Sequence, residues 1–419
     1  MKTLKQLFGL SIAILLLGGV FNSSYAQHVK DLQYFRPYGL DGVNKFEPTK
    51  ADKNFEYTGF KLYWGAAFTQ QWQDLIQSTN GVDATGAPIQ LSKIGPGFNL
   101  ANANLYLDAQ LAQGMRLHLT TYLSSRHHTE AYVKGGYLRI DALPMLHSEA
   151  IDNLMKYVTI KVGHMEINYG DAHFYRTDNA NALYNPLVGN HLMDSFTTEV
   201  GSEIYVMNKG FIGMLGLTGG QLHPQVTNPD GRRMSVYGKL GYDNKVGDNA
   251  RIRLTGSFYH NARHTHLYHG DRAGARYYDI LDAGAWSGRV EPGFSNGFTS
   301  YMINPYIQVG GLNLFGVIEF TNEEKTNKSV NQFAVDGQYF ISPQVFIAGR
   351  YDVVTGDLSG AVSNAKVERV QVGGGWYMTK NILAKLEYVN QEYKKGYAST
   401  SLFNGAKFHG VMVEASIGF

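Results

Sequence analysis

Three groups of residues in this chain carry side chains able to do chemistry. The first is a histidine-rich stretch, His260, Arg263, His264, His266 and His269. Imidazoles two positions apart reach one metal ion only from a strand or a turn, and zinc-like sites usually add cysteine or acid ligands. The chain holds no cysteine, the nearest acid is Asp271, and Arg263 and Arg272 oppose a cation, so a solvated loop without metal is expected. The second group is Ser124, Ser125, His127 and His128. A nucleophilic hydroxyl needs a base and a third group that orients it. Ser124 and Ser125 face opposite sides of an extended strand and no third group follows, so no enzyme is expected. No cofactor is implied either, because Gly373-Gly374-Gly375 lies within a strand and not in the strand–loop–helix setting that cradles phosphate. The third group is the charged run Asp171, His173, Arg176, Asp178, His191 and Asp194, on a segment without periodicity. Such a set suits steering a passing solute better than making bonds.

The elements that must position these groups are strands. Leu105-Tyr106-Leu107-Asp108-Ala109-Gln110-Leu111 alternates apolar and mostly polar positions. After Gln113-Gly114, Met115, Leu117, Leu119, Thr121 and Leu123 share one face, and Arg116, His118, Thr120, Tyr122 and Ser124 the other. Two such runs around a glycine-containing turn read as a hairpin. The pattern continues to Val411, Val413, Ala415, Ile417 and Phe419. The expected spans are 57–72, 99–112, 115–126, 130–141, 153–166, 196–208, 211–221, 233–244, 249–261, 299–309, 312–322, 331–342, 344–354, 367–379, 381–392 and 407–419. Runs of about ten residues match a tilted strand crossing a bilayer, whereas soluble strands are nearer five or six. Aromatics at Trp64, Phe68, Tyr122, Phe320, Tyr339, Tyr377, Tyr388 and Phe419 fit interfacial girdles. Connections alternate between short and long, as periplasmic turns and external loops do. The fold expected is an all-β transmembrane antiparallel barrel of about sixteen strands, with eighteen the alternative count. A long loop after the fifth strand would narrow its pore.

Composition agrees. Gly is high at 48 residues, Tyr reaches 28, and no run beyond the first residues is long enough for a membrane helix. Lys2 and Lys5, the apolar stretch Leu7 to Val20 and Ser24-Tyr25-Ala26 read as an export signal over 1–26. Removing it leaves 35 residues of each sign, which gives no field for nucleic acid. Residues 27–55 read as a periplasmic arm, tucked into the lower mouth or trailing free, and 56–419 as the barrel. Its inward positions carry bases at Arg116, Lys161, Lys239, Arg251, Arg253, Arg350, Arg369 and Lys385. They carry acids at Asp108, Glu199, Glu203, Asp243, Glu319, Asp336, Asp352, Glu387 and Glu414. A lining this mixed favours neither anions nor cations.

Tyr157-Val158-Thr159-Ile160-Lys161-Val162-Gly163-His164-Met165-Glu166, followed by Asn168-Tyr169-Gly170, resembles the strand-and-turn segment of the porin O/P family, named for its phosphate-selective members. Glu130-Ala131-Tyr132-Val133 is similar to the strand before it, and the arm around Tyr34 to Pro37 looks like porins of Bacteroidetes-type bacteria. The resemblance covers about 125–205 and implies a substrate-conducting barrel, often a homotrimer. The expectation is an outer-membrane porin of a Gram-negative bacterium, in contact with lipid and passing small hydrophilic solutes or ions. The alternative is a non-conducting receptor, adhesin or assembly partner presenting 73–98 and 262–298; a lumen plugged by side chains or by the arm separates the two.

Overall fold

The computed structural model describes residues 36–48, 50, 57–99, 102–124, 131–176, 182–220, 233–263, 266–268, 277–281 and 288–419. The expected leader, and the readings placed on Tyr34, Phe35, Ser125, His127, His128, Glu130, Asp178, His264, His269, Asp271 and Arg272, lie outside these residues.

Sixteen long strands form one antiparallel meander. They are β1 (Lys61–Ser78), β3 (Asn102–Ala112), β4 (Met115–Ser124), β5 (Ala131–Ile140), β6 (Val158–Glu166), β7 (Thr198–Asn208), β8 (Phe211–Thr218), β9 (Ser235–Val246) and β10 (Ala250–Asn261). Then follow β11 (Phe298–Val309), β12 (Leu312–Glu323), β13 (Ser329–Ser342), β14 (Val345–Gly356), β15 (Ala365–Thr379), β16 (Ile382–Lys395) and β17 (Lys407–Gly418). A two-residue strand, β2 (Gly97–Phe98), adds to β1. Pairing of β1 with β17, from Ala67 opposite Gly418 to Ser78 opposite Lys407, closes the sheet. Closure leaves no backbone edge in hydrocarbon, which an open sheet could not avoid.

Two solvents explain the alternation. On β13, Phe333, Val335, Tyr339 and Ile341 are exposed on the outer face, while Gln332, Ala334, Asp336 and Gln338 are buried inside. The same outward apolar band includes Leu240, Leu254, Ile347, Val372 and Leu386. Leu240 is 74% exposed, which makes sense only against lipid. Of the expected girdle, Trp64, Phe68, Phe320, Tyr339, Tyr388 and Phe419 do face outward. Tyr122 and Tyr377 do not: both are buried inside, and the Tyr377 hydroxyl donates to Leu183 O at 2.6 Å. Tyr122 shares its strand face with Arg116, so parity sends it to the lumen.

One end of the barrel has short connections, such as 113–114, 310–311 and 380–381. Gly114 and Gly310 there take φ of 70° and 55°, which glycine adopts without penalty. The exception is 141–157, which holds helix α1 (Glu149–Met155) where the fifth expected strand was to start at 153. Glu149 and Asp152 in its first turn favour the helix over a longer strand. β1 also differs, running from Lys61 to Ser78 and not over 57–72.

The interior is mostly filled. Val188, Leu192 and Met193 from the loop after β6 meet Ile280 and Leu281 from the loop after β10. They join inward wall residues Phe315, Val317, Val354, Val389, Phe408 and Met412 in one apolar cluster. A wall of this size normally leaves an aqueous channel. Here the inward apolar positions of β12 to β17 instead receive folded loops.

Candidate functional site

Residues 167–176 and 182–197, between β6 and β7, lie in the interior, held by the charges expected to line open water. Asp171 accepts from Arg253 Nη2 and Nε at 2.8 and 2.8 Å, from Lys239 Nζ at 2.9 Å and from Thr255 Oγ1 at 2.7 Å. Glu319 accepts from Tyr169 and Tyr268 hydroxyls at 3.0 and 2.8 Å and from Ser195 at 2.7 Å. Arg350 grips Asp336 through two bonds of 2.7 Å and donates to Gly189 O at 2.7 Å. Asp352 accepts from Leu192 N at 2.7 Å, and Arg369 donates to Asn190 O at 2.7 Å. Lys385 donates to the carbonyls of Ala182, Asn185 and Leu187 at 2.9 to 3.0 Å. Glu387 accepts from Val188 N at 2.6 Å and from the Tyr277 hydroxyl at 2.6 Å. Buried polar groups cost free energy unless bonded, so each of these contacts fixes the loop as well as the wall.

The expected constriction residues therefore divide. His191 is buried beside Asp336 at 3.3 Å, and Asp194 holds Arg176 at 2.7 and 3.1 Å. Asp171 faces β9 and β10. Of the described members of that set, His173 and Arg176 border the cavity along β3 to β7.

The arm completes the filling. Leu40 N–H donates to Lys380 O at 2.7 Å, Arg251 donates to Asn44 O at 2.9 Å, and Arg139 donates to Pro48 O at 3.2 Å. The arm thus crosses the short-turn end from the β15–β16 turn to the base of β5. Glu47 accepts from Lys239 at 3.0 Å and from Arg253 at 2.7 Å. Burial alone would raise the Glu47 carboxyl, but Arg253 and Lys239 prevail and hold it down to about 2. Burial opposes ionisation of Asp171 too, and the same two cations keep it well below the usual carboxylate range.

Among the described residues, a cavity of about 260 Å³ stays open inside the wall along β3 to β7. Its wall side carries Tyr106, His118, Thr120, Lys134, Tyr137, Arg139, Lys161 and His164; the facing side carries Arg36, Tyr38, Phe46, Glu47, His173, Phe174, Arg176 and Tyr184. From Lys134 to Arg139 along β5 it extends about 17 Å at the rise of a strand. Tyr38 stacks on Tyr106 with centroids 4.9 Å apart, His118 lies 5.3 Å from Tyr137, and Lys161 Nζ sits 4.7 Å from the Tyr137 ring. Several lining cations have a carboxylate behind them: Lys161 with Glu203 at 3.0 Å, Arg139 with Asp141 at 2.9 Å and Arg176 with Asp194. Asp108 accepts from the Tyr38 hydroxyl at 2.9 Å and lies 2.5 Å from His118 Nδ1, and Arg116 pairs with Asp141 lower down.

Sequence reasoning missed Lys134, Tyr137 and Arg139 because β5 changes parity. The register shifts between Thr120 and Thr121 opposite Lys134, so inward residues are even before Gly135-Gly136 and odd after it. Arg36, Tyr38 and Glu47 carry no periodic signal at all. In the histidine stretch, His260 pairs with Thr299 at 3.0 Å and Glu324 at 3.3 Å, and Arg263 and His266 are exposed. Among the described residues no group of three or more potential ligands could hold a metal.

No family model matches the chain, and no curated relative does. Among solved structures it is similar to OmpT of Vibrio cholerae in a trimer form, with TM-score 0.51 and 10% identity over 86% of this chain and 100% of that one. An anion-selective porin from Comamonas acidovorans gives TM-score 0.51 and 13% identity over 86% and 100%. OprB of Pseudomonas putida gives 0.52 and 9% over 86% and 94%. At these identities the likeness concerns the fold alone. With the outward apolar band, it gives this chain the fold of the outer-membrane β-barrels of Gram-negative bacteria.

Proposed function

We propose that the chain is an outer-membrane porin that passes small hydrophilic solutes or ions between the β3–β7 wall and the facing loop and arm. The observation that carries this reading is the elongated, charged cavity left open where the rest of the interior is filled. Its 260 Å³ spread over about 17 Å corresponds to a mean section of roughly 15 Å² for the centres of water-sized molecules. That is a narrow passage, suited to ions and very small solutes. The lining is fixed on both sides by buried hydrogen bonds, so its bore and charge are set before a solute arrives. No bond-making step is proposed.

The finer family reading, a porin of the O/P type, is supported by the segment 157–170, which supplies β6 and the start of the inward loop. A homotrimer is supported by that resemblance and by the trimer form described for the Vibrio protein.

The filled interior and the docked arm favour a second reading, a closed barrel that acts through its external loops. Planar-bilayer recording separates the two. Stable single-channel steps from purified protein support the porin; a folded barrel that never conducts, while its loops still bind a surface, supports the second reading.

A further inference from the structure

The geometry points to Arg36, on the N-terminal arm, as the residue that sets the charge preference of the passage; the assignment rests on the porin reading. Lys161, Arg139 and Arg176 each have a carboxylate within 3.0 Å, so their charge is largely cancelled a few ångströms away. Arg36 is held differently. Its Nε donates to Gly42 O at 2.8 Å and its Nη1 to Phe174 O at 2.9 Å, and the guanidinium lies 3.6 Å over the Tyr184 ring. Carbonyls and a ring face orient the head. Glu166, the acid that acts on it across the cavity, forms no ion pair with it and is already bonded to His173 at 2.5 Å.

The remaining nitrogen, Nη2, is enclosed and has no hydrogen-bond partner among the described residues, although Arg36 borders the cavity. Enclosed, it acts on a passing ion through its field and not by a direct bond, and that field favours an anion. The head cannot swing away, because one bond ties it to the arm and the other to the inward loop. The arm itself is fixed at Leu40, Asn44 and Glu47. The arm is then neither a free tail nor a simple stopper: it supplies one wall of the passage and a positive charge with no carboxylate bonded to it. The class of solute favoured at this point is a small anion carrying a single charged head, a carboxylate or an inorganic anion.

The test is the reversal potential in planar bilayers under a potassium chloride gradient, for the full chain and three variants. The wild-type protein should prefer chloride. Arg36→Gln should lower the chloride-to-potassium permeability ratio by about tenfold, from a unit charge acting on both ions at about 6 Å in a water-like medium. Arg36→Lys should retain the preference, and Lys209→Gln, an exposed cation on the β7–β8 turn away from the arm, should leave it unchanged. Heat-modifiable gel mobility reports whether each barrel is folded. A conducting wild type with an unchanged ratio in Arg36→Gln, or with the preference lost in Arg36→Lys, overturns the assignment alone. A folded wild type that conducts nothing overturns the porin reading and this assignment with it.

Discussion

Replacing Asp171 with alanine should loosen the near end of the inward loop without unfolding the barrel. Asp171 is fully buried and takes four hydrogen bonds from Arg253, Lys239 and Thr255, and its backbone N–H donates to Asn304 at 2.8 Å. Without the carboxylate, Lys239 and Arg253 keep Glu47 between them, and Arg253 keeps Asp243 at 3.1 Å. Breaking one side of a buried ion network costs about 3–5 kcal/mol. The strand ladders do not use these contacts, so the cost falls on the docked state of residues 168–176. A cost of that size raises the population of the undocked loop by roughly a hundredfold to several thousandfold. His173, Phe174 and Arg176 line the passage and move with it. Single-channel recording should therefore show larger and noisier currents in Asp171→Ala, with Asp171→Asn in between. Conductance and noise equal to wild type, in a folded variant, would refute the anchoring argument.

Deleting the arm through residue 56 should raise single-channel conductance while the barrel still closes, since β1 begins at Lys61; unchanged conductance would place the arm outside the ion path. The Glu47 and Asp171 carboxyls both lie below their ordinary values, so the stability they give the docked state is complete above about pH 5 and is lost progressively as pH falls toward the folded values. Hydrogen exchange of residues 44–48, corrected for intrinsic rates, should accordingly show equal protection at about pH 7 and pH 5, and lost protection at the lower pH contradicts this. Arg350→Ala removes both guanidinium bonds from Asp336, leaving it only His191 at 3.3 Å, and should cost about 3–5 kcal/mol in denaturant unfolding from detergent, against less than about 1 for an exposed pair such as Lys380 with Asp41. Leu254→Arg on the lipid face should cost about 2–4 kcal/mol in folding into vesicles, and a neutral result would mean that face does not meet hydrocarbon.

The wall was legible because lipid and the barrel interior select opposite side chains at every second residue. Positions such as Phe333 and Val335 outside, and Gln332 and Asp336 inside, follow from that contrast alone. Alternation gives a side, however, and not a partner. Arg350, Asp352, Arg369, Lys385 and Glu387 were readable as inward charges, but their partners lie far away in the chain, on the loop around residues 182–192. The filled interior had a signal that went unused: Val317, Val354 and Val389 are apolar on the face expected to be wet. On β5 the bulge broke the two-residue period, which hid Lys134 and Arg139 from any fixed parity. Arg36 and Glu47 act through the position of an irregular arm, and no pattern in their neighbours encodes that position.

The most direct test of the account uses the absence of cysteine from the chain. Thr120, on β4, lines the passage, and Gln371, on β15, is buried among loop residues across the interior. A charged thiol reagent should block current stepwise in Thr120→Cys when added from either side of the bilayer, and should leave Gln371→Cys conducting. Current that persists in Thr120→Cys after exposure to reagent on both sides would mean that ions do not travel along the β3–β7 wall.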